Sequence, residues 1–249
     1  MTIISCPNCH SMNIKKHGHI HNGKQNHRCR DCGHQFVLHP ENKRISTETE
    51  GLIRRLLLER ISLRGICRVA NVSLTWLLKF IVKLYGQLPD HLYAQVQVVE
   101  REGDVILYLL DAQADELWSF VGNKENKQWV WIAINAHTKQ VIAFYVGDRS
   151  RQSAQKLWER VPNTYKCHAT FYTDDWEAYR GVIPSNQHKA VSKQSGKTSG
   201  VERLNCTLRQ RVSRLVRSTL SFSKKIENHV GAIKYFICDY NLTPCASFF

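Results

Sequence analysis

The pattern of apolar and polar positions divides the chain into three parts. Residues 5–38 are rich in Cys and His and hold almost no apolar core of their own. Residues 47–86 repeat apolar residues at the spacing of amphipathic helices, and from residue 105 onward strand-like and helix-like runs alternate. These changes predict domains at 1–40, 45–88 and 103–240.

The helical part has the signals of a helix-turn-helix. Thr47, with Glu50 three residues later, is typical of a helix start, and Ser62 is positioned to cap a short second helix. Ser73 is positioned to cap the next helix, Leu74–Tyr85, which we expect to enter the major groove of DNA. The predicted DNA contacts are Thr75, Trp76, Lys79 and Lys83. The alternative is a helical linker whose tryptophan packs inward.

The long third part predicts an α/β domain with a mixed sheet and flanking helices. Strands are expected at 105–115, 117–121 (or a bent continuation of the first), 129–136, 141–146, 169–173 and 188–192, with helices near 151–161, 176–181 and 200–217. Three antiparallel strands followed by alternating helices and strands match an RNase H-like order. In that order an aspartate on the first strand faces one that follows the fourth strand.

The last predicted helix has a clear apolar stripe. The stripe consists of Val201, Leu204, Leu208, Val212 and Leu215. Glu202 lies in the first turn beside this stripe, where it can reach the sheet and where the helix dipole favours its ionised form. A first-turn glutamate that only stabilises its helix is the plain alternative.

Three acidic residues from distant elements are the candidate chemistry of this domain. Asp115, Asp174 and Glu202 suit a pair of Mg²⁺ ions, which lie about 3.5–4 Å apart in sites that clamp the two reacting oxygens of a phosphodiester. Asp111 competes with Asp115, because residues four apart share one face of a strand, and Asp175 competes with Asp174. The pattern alone settles neither choice.

Charge and composition favour a polyanionic partner. The net charge is +14, with +8 in residues 1–90, −2 in residues 91–185 and +9 in residues 186–235. Two basic blocks around a slightly acidic middle are typical of a protein that grips nucleic acid. No apolar run of about 18 residues and no signal peptide is evident, which predicts a cytoplasmic, nucleoid-associated protein.

Four cysteines form two CxxC pairs separated by 19 residues. This spacing predicts a zinc site made by Cys6, Cys9, Cys29 and Cys32, whose metal would stabilise a small zinc-ribbon-like module. A redox-active CxxC is the alternative, but it needs a βαβ context that is absent here. His10 or His34 can replace a cysteine in principle, although we expect both to face solvent or DNA.

At these residues the chain resembles DDE-class transposases of the insertion sequence one (IS1) family. The motifs that carry the resemblance are Asp115-Glu116-Leu117-Trp118, Phe120-Val121-Gly122, Thr173-Asp174-Asp175-Trp176 with Tyr179, Glu202-Arg203-x-Asn205, Leu208-Arg209-Gln210 and Leu220-Ser221-Phe222-Ser223-Lys224. The zinc and helix-turn-helix modules also match, although that family often splits them from the catalytic part in two reading frames. The departure from its pattern is Asp175, where the family usually has a small residue.

The resemblance implies a function for these residues. Asp115, Asp174 and Glu202 would form the DDE triad, separated by 58 and 27 residues, and would hold Mg²⁺ or Mn²⁺. The N-terminal modules would bind the terminal inverted repeats of a mobile element, with a homodimer or larger synaptic complex joining two ends to target duplex DNA. The residues that would contact phosphates near the metals are Arg203, Asn205, Arg209, Arg211 and Lys224.

Two rival functions share most of these features. A non-catalytic DNA-binding regulator, or an inactive transposase copy, would bind DNA through residues 1–86 without metal-dependent cleavage. A structure-selective nuclease of the same fold would cut DNA without joining ends and would not need a sequence-reading module.

Overall fold

The computed structural model describes residues 4–39, 45–94, 99–101, 104–106, 111–216 and 221–243. The chain separates into two compact units, Met1–Ser46 and Thr47–Phe249. Parts of three predicted features lie outside the described residues, namely positions 107–110 of the first predicted strand, position 217 of the last predicted helix and Leu220 of the family motif.

The first unit contains a small antiparallel sheet in the order β1-β2-β3. The strands are β1 (Ile14–His19), β2 (Gln25–Cys29) and β3 (Gln35–Phe36). Its buried side chains include Cys6, His27 and Cys29, whereas most positions of β1 are exposed. Such a segment has too little apolar surface to fold without a further source of stability.

Three helices begin the second unit: α1 (Thr47–Leu56), α2 (Leu63–Ala70) and α3 (Leu74–Gly86). The hydroxyls of Ser62 and Ser73 accept hydrogen bonds from Gly65 N and Trp76 N, at 3.1 and 3.2 Å, as N-caps do. Asn71 ends α2 in the left-handed conformation, which turns the chain into α3. The N-caps of α2 and α3 are therefore where the sequence predicted them. Thr47, in contrast, is the first residue of α1 and not the residue before it.

The rest of the second unit is built around a five-stranded sheet in the order β10-β9-β6-β7-β8. After a short hairpin of β4 (Val99–Arg101) and β5 (Asp104–Ile106), the strands are β6 (Asp111–Phe120), β7 (Lys127–Asn135), β8 (Val141–Gly147), β9 (Thr170–Thr173) and β10 (His188–Ala190). β6, β7 and β8 pair antiparallel, and β9 pairs parallel to both β6 and β10. The sheet is mixed, as predicted, and its order fits an RNase H-like fold.

Helices cover both faces of this sheet. They are α4 (Arg151–Arg160), α5 (Asn163–His168), α6 (Ser199–Arg211) and α7 (Ile226–Leu242), with short 3₁₀ helices at Glu177–Tyr179, Lys193–Ser195 and Ser213–Leu215. α6 and α7 share one apolar core with Leu117 of β6, while α4, α5 and Tyr179 share a second core with Ala112 and Ala114. Since alternate residues of a strand point to opposite faces, these cores lie on opposite sides of the sheet.

Three predictions for this domain need correction. The predicted strands 105–115 and 117–121 form one continuous strand from residue 111, β6, as the alternative of a continuation had it, whereas residues 105 and 106 belong to the separate strand β5. The predicted helix 200–217 ends at Arg211, because Val212 takes an extended backbone, although Val212 and Leu215 still reach the core. The helices α5 and α7 were not predicted at all.

α7 joins the helical segment to the sheet domain. Its buried side includes Ile233, Phe236 and Ile237, and it packs against α3. Gly231 makes this approach possible, because a Cβ atom there would lie 2.7 Å from Cγ of Tyr85. In the described residues no single helix is long and apolar enough to span a membrane, and only α2 and α3 taken together, bent by 109°, pass that test.

Candidate active site

Asp115 lies in the middle of β6, on the face of the sheet that α6 covers. Gln113, two residues earlier on the same face, accepts a hydrogen bond from Val201 N at 2.9 Å and so fixes the start of α6 to β6. The Asp115 carboxylate accepts hydrogen bonds from Glu116 N and from the Asn205 amide, both at 2.8 Å. The side chain is therefore held in place from its own strand and from the helix.

Glu202 reaches the same region from the first turn of α6. Its carboxylate accepts a hydrogen bond from Thr198 Oγ1 at 3.0 Å. The helix lies very close to the strand because position 200 is glycine: a Cβ there would lie 2.6 Å from Oε1 of Gln113. A first-turn carboxylate is also stabilised by the helix dipole.

Asp174 follows β9, the parallel neighbour of β6. Its Oδ1 accepts a hydrogen bond from Trp176 N at 3.2 Å, which shapes the turn after the strand. Tyr172 pairs in register with Gln113, so Asp174 leaves the sheet on the same face and beside Asp115. The carboxyl end of a strand next to a change in strand order is a common place for a site in α/β sheets.

The electrostatics of Asp115 show that the three carboxylates lie near one another. Burial raises the pKa of the Asp115 carboxyl to about 6. Repulsion from the carboxylates of Glu116, Asp174 and Glu202 acts in the same direction. The structure thus places the Asp115 carboxylate near those of Asp174 and Glu202, the other two residues that the sequence selected.

The arrangement is open, and Asn205 belongs to it. Among the described residues, the ligand oxygens of these three acidic residues do not all lie within 4.8 Å of one another. Asn205 is buried, with 8% of its surface exposed, and its Oδ1 has no hydrogen-bond partner. Such an amide oxygen, beside the half-buried carboxylate of Asp115, is chemically able to bind a hard cation.

The sequence analysis missed a buried ion pair on the other face of β6. The Glu116 side chain is 1% exposed and accepts hydrogen bonds from Nε and Nη2 of Arg149 at 2.9 and 2.6 Å. Tyr179 donates a third hydrogen bond to Glu116, at 3.2 Å. Burial raises the pKa of Glu116, while the Arg149 guanidinium lowers it. The only sequence signal was a second acidic residue within a strand that is otherwise buried.

This ion pair reaches the turn that holds Asp174. The Arg149 guanidinium lies between two indole rings, 4.6 Å from the centroid of Trp129 and 4.0 Å from that of Trp176. Because Trp176 N donates to Asp174, the stacked arginine supports the turn that carries this carboxylate. Glu116 and Arg149 therefore connect β6 to the Asp174 turn, next to Asp115.

The competing aspartates lie in other surroundings. Asp111, at the start of β6, has its carboxylate 3.9 Å from Nε2 of His137. Asp175 is exposed and forms an ion pair with Arg180 at 2.6 Å. The carboxylates of Asp174 and Glu202, by contrast, raise the pKa of Asp115, which favours Asp115 and Asp174 over these neighbours.

The four predicted zinc ligands converge in the first unit. Their sulfur atoms all lie within 4.8 Å of one another, with 3.6 Å between Cys6 and Cys32 and between Cys9 and Cys29. Tetrahedral coordination with Zn–S bonds of about 2.3 Å places sulfurs about 3.8 Å apart. A hydrogen bond from the backbone of His34 lowers the pKa of Cys32, which favours the thiolate that binds metal, whereas the hydrogen bond to Cys32 raises the pKa of Cys9. These cysteines are able to hold zinc.

The two CxxC segments have matching turns. His10 follows the second cysteine of one pair and Gly33 that of the other, and both have a positive φ, of 60° and 74° respectively. The N–H of each donates to the carbonyl of the first cysteine of its pair, at 2.9 Å to Cys6 and 3.1 Å to Cys29. Neither turn places a histidine among the four sulfurs, so the structure keeps His10 and His34 out of the cluster.

The helical segment has the angle of a helix-turn-helix. The chain changes direction by 109° between α2 and α3, within the range of about 90–120° for such motifs. Thr75, Lys79 and Lys83 form an exposed row along α3. Trp76 is half-buried, and its ring stacks on Phe80 with 5.1 Å between centroids. The row is accessible to a partner, whereas Trp76 mainly packs within its own module.

The basic candidates on and after α6 differ in their surroundings. Arg203 and Lys224 are exposed. Arg209 donates to the Leu215 carbonyl at 3.4 Å, and Arg211 pairs with Glu59 at 3.1 Å. Two of the four basic side chains predicted to contact phosphates are thus already engaged within the protein.

The mixed five-stranded sheet with helices on both faces fits an RNase H-like α/β domain. The family model described as IS1 transposase matches residues 108–241, which is more than half of the chain. The chain therefore belongs to the IS1 transposase family. Residues before 108 lie outside that match.

Individual relatives and one solved structure complete the comparison. The chain is 36% identical over 130 residues to the insertion element iso-IS1n protein InsB of Shigella dysenteriae, covering 51% of this chain and 94% of that protein. It is 29% identical over 162 residues to the insertion element IS1 9 protein InsB of Escherichia coli K12, covering 61% and 92%. A cryo-EM structure of the simian T-cell lymphotropic virus intasome with the PP2A regulatory subunit B56 gamma matches 69% of this chain and 63% of its own, at 12% identity. Its TM-score of 0.35 is too low to support a shared fold.

Proposed function

We propose that this protein is an insertion-sequence DNA transposase of the DDE type that cuts and joins DNA at a divalent metal site. The observation that carries this proposal is the convergence of Asp115, Asp174 and Glu202 on one face of the sheet, in a chain of the IS1 transposase family. The substrates are the terminal inverted repeats of the element and the target duplex.

The residues at this site suit Mg²⁺, with Mn²⁺ as a substitute. Hard divalent cations prefer carboxylate and amide oxygens, and the site offers three carboxylates and the unpartnered Oδ1 of Asn205. Burial, together with repulsion from neighbouring carboxylates, raises the pKa of Asp115, and a bound cation would favour its ionised form. When bound, the metal would provide charge stabilisation at the reacting phosphate.

The remaining roles belong to the side chains of this chain. Asp115, Asp174 and Glu202 would hold the divalent ions, and Asn205 orients the Asp115 carboxylate. Arg149 keeps the Asp174 turn in position through its stacking on Trp176. Water hydrolyses the phosphodiester at the element end and frees a 3′-hydroxyl. That hydroxyl then attacks a target phosphodiester in a single transesterification, and the target 3′-oxygen leaves as a new 3′-hydroxyl.

The N-terminal part supplies recognition of the element ends. A zinc-ribbon-like module in residues 1–40 would be folded by Zn²⁺ on Cys6, Cys9, Cys29 and Cys32. A helix-turn-helix in residues 45–88 would place the exposed row Thr75, Lys79 and Lys83 in the major groove. Residues 103–240 form the catalytic domain. Joining two ends calls for a homodimer or a larger synaptic complex.

The direct test is strand cleavage with two neighbouring substitutions. Wild-type protein, Asp174→Asn and Asp175→Asn are incubated with Mg²⁺ and a labelled duplex that carries the element end. We expect 3′-end nicking and joined products from wild type and from Asp175→Asn, because Asp175 is exposed and paired with Arg180. Asp174→Asn should bind the DNA without cutting it. Equal binding by all three proteins with no cleavage by any would support a DNA-binding regulator or an inactive copy instead.

A further inference from the structure

An aromatic and basic surface lies at the edge of the sheet, formed by Tyr172, Lys189 and Lys197. Nζ of Lys189 lies 5.9 Å, and Nζ of Lys197 5.5 Å, from the centroid of the Tyr172 ring. Both lysines are exposed and the tyrosine is half-buried. We call these three residues the Tyr172 surface.

The two ammonium groups of this surface have no acidic partner within the described part of the chain. Other lysines do have one: Lys156 pairs with Glu159 at 3.0 Å and Lys234 with Asp90 at 2.6 Å. Two positive charges directed at one ring repel each other, and an anion that lies near both would offset this repulsion. The surface also belongs to the most basic block of the chain, residues 186–235, whose net charge is +9.

The Tyr172 surface is on the same face of the sheet as the carboxylates. Tyr172 pairs in register with Gln113 of β6 on one side and with Lys189 of β10 on the other. Gln113 contacts the start of α6, so this face is the one on which Asp115 lies. Tyr172 precedes Asp174 by two residues.

Lys197 connects the surface to the third carboxylate. It directly precedes Thr198, whose hydroxyl donates to Glu202 at 3.0 Å. A strand of nucleic acid that crosses the edge strand β10 would therefore meet the two lysines before it meets the carboxylates.

We propose that the Tyr172 surface binds the phosphodiester backbone of the DNA strand that enters the carboxylate site. The inference rests on the proposed function. It gives the DNA strand a path across β10, whereas the sequence analysis expected phosphate contacts along α6. There Arg209 and Arg211 already contact other parts of the protein. Proteins that bind single-stranded nucleic acid combine basic side chains with aromatic rings in their binding grooves. The basic side chains contact phosphates, and the ring contacts a sugar or base.

Chemical footprinting tests the contact directly. The full chain is acetylated with a lysine-specific reagent alone, with the element-end duplex and with the corresponding single strand, and the modified lysines are identified by mass spectrometry. We expect both DNA forms to protect Lys189 and Lys197. Protection by the single strand alone would restrict the ligand to unpaired DNA. Lys156, on the opposite face, serves as the unprotected reference.

A pair of double variants tests the energetic contribution. The test variant combines Lys189→Gln with Lys197→Gln. The control variant combines Lys156→Gln with Lys166→Gln and so removes the same charge from α4 and α5. Lys166 is a matched control because its Nζ also lies over an aromatic ring, 6.0 Å from the centroid of Trp158. Loss of two phosphate contacts should lower the slope of log K against log salt by about 1.4–1.8. The control should keep the wild-type slope. In cleavage assays KM for DNA should rise while kcat stays unchanged.

The outcomes separate this inference from the proposed function. The inference is wrong if Lys189 and Lys197 react equally with and without DNA and both double variants keep the wild-type slope of log K against log salt. If wild type still cuts DNA in that case, the transposase function stands. If wild type neither binds nor cuts the element end, both are wrong. Tyr172→Phe should retain binding, because it keeps the ring, and Tyr172→Ala should weaken it.

Discussion

Substitution of Asp115 by Asn should inactivate the protein and stabilise its metal-free fold. Asp115 is half-buried beside Asn205, and desolvation together with repulsion from the carboxylates of Glu116, Asp174 and Glu202 makes its ionised form unfavourable in the folded chain. Asparagine has the same shape and carries no charge. A turn of the Asn205 amide would let its unpartnered Oδ1 accept a hydrogen bond from the new side chain.

The magnitude follows from the pKa of Asp115. The carboxyl has a pKa of about 6 in the folded protein, against an ordinary value of 3.8. Ionisation at pH 8 therefore costs the folded state about 3 kcal/mol relative to the unfolded chain. As the pH falls below 6, the folded state takes up the proton first, so this cost shrinks and is gone below about pH 3. The advantage of Asp115→Asn should be about 3 kcal/mol at pH 8 and about 0.5 kcal/mol at pH 4.

Urea unfolding followed by tryptophan fluorescence measures this difference. All six tryptophans lie in the unit Thr47–Phe249, so the signal does not report on the cysteine-containing unit. Wild type, Asp115→Asn and the exposed-site control Asp175→Asn are unfolded at pH 4 and pH 8 without divalent metal. Added Mg²⁺ at pH 8 should raise the stability of wild type and leave Asp115→Asn unchanged.

Two results would refute this reasoning. A variant less stable than wild type at pH 8 would show that Asp115 contributes a favourable contact and not a repulsive one. An advantage of the same size at both pH values would show that it does not come from ionisation of the carboxyl.

Three further predictions concern other parts of the structure. Gly231→Ala should destabilise the second unit by about 1–3 kcal/mol in urea unfolding, because the new Cβ meets the Tyr85 ring, whereas Gly51→Ala, which has open space in α1, should not. Arg149→Lys keeps the charge but loses the two-nitrogen contact and the flat stacking, so cleavage should need about 10–100-fold more Mg²⁺ in a metal titration. Cys9→Ser should abolish or weaken the binding of one zinc per chain in native mass spectrometry, with an unchanged unfolding curve by tryptophan fluorescence.

Each of these has a contrary result. Equal losses for the two glycine variants would point to helix propensity and not to the contact between α3 and α7. An unchanged Mg²⁺ requirement in Arg149→Lys would separate the ion pair from the carboxylate site. Zinc retained at full affinity in Cys9→Ser would mean that this cysteine is not a ligand.

Local signals predicted the elements that depend on neighbouring residues. Ser62 and Ser73 cap their helices through bonds to residues three positions on, so a short stretch of sequence contains the whole interaction. The strands β7 and β8 are continuous apolar runs, and their predicted bounds differ from the observed ones by at most two residues.

Features that depend on distant contacts were not predictable in the same way. α7 is buried on more than one side and includes His229 and Asn241 among its buried residues, which blurs the helical pattern of apolar positions. The Glu116–Arg149 pair joins residues 33 positions apart, and no spacing rule relates them. The choice of Asp115 over Asp111 likewise needs the positions of Asp174 and α6, since both aspartates lie on one strand face.

Anomalous diffraction from crystals soaked in Mn²⁺ would test the central claim most directly. The account predicts anomalous peaks between the carboxylates of Asp115, Asp174 and Glu202 in wild-type crystals, and their loss in Asp115→Asn crystals. A fully ordered carboxylate site without Mn²⁺, or a peak that persists in the variant, would contradict the proposal that these three residues form the metal site of the enzyme.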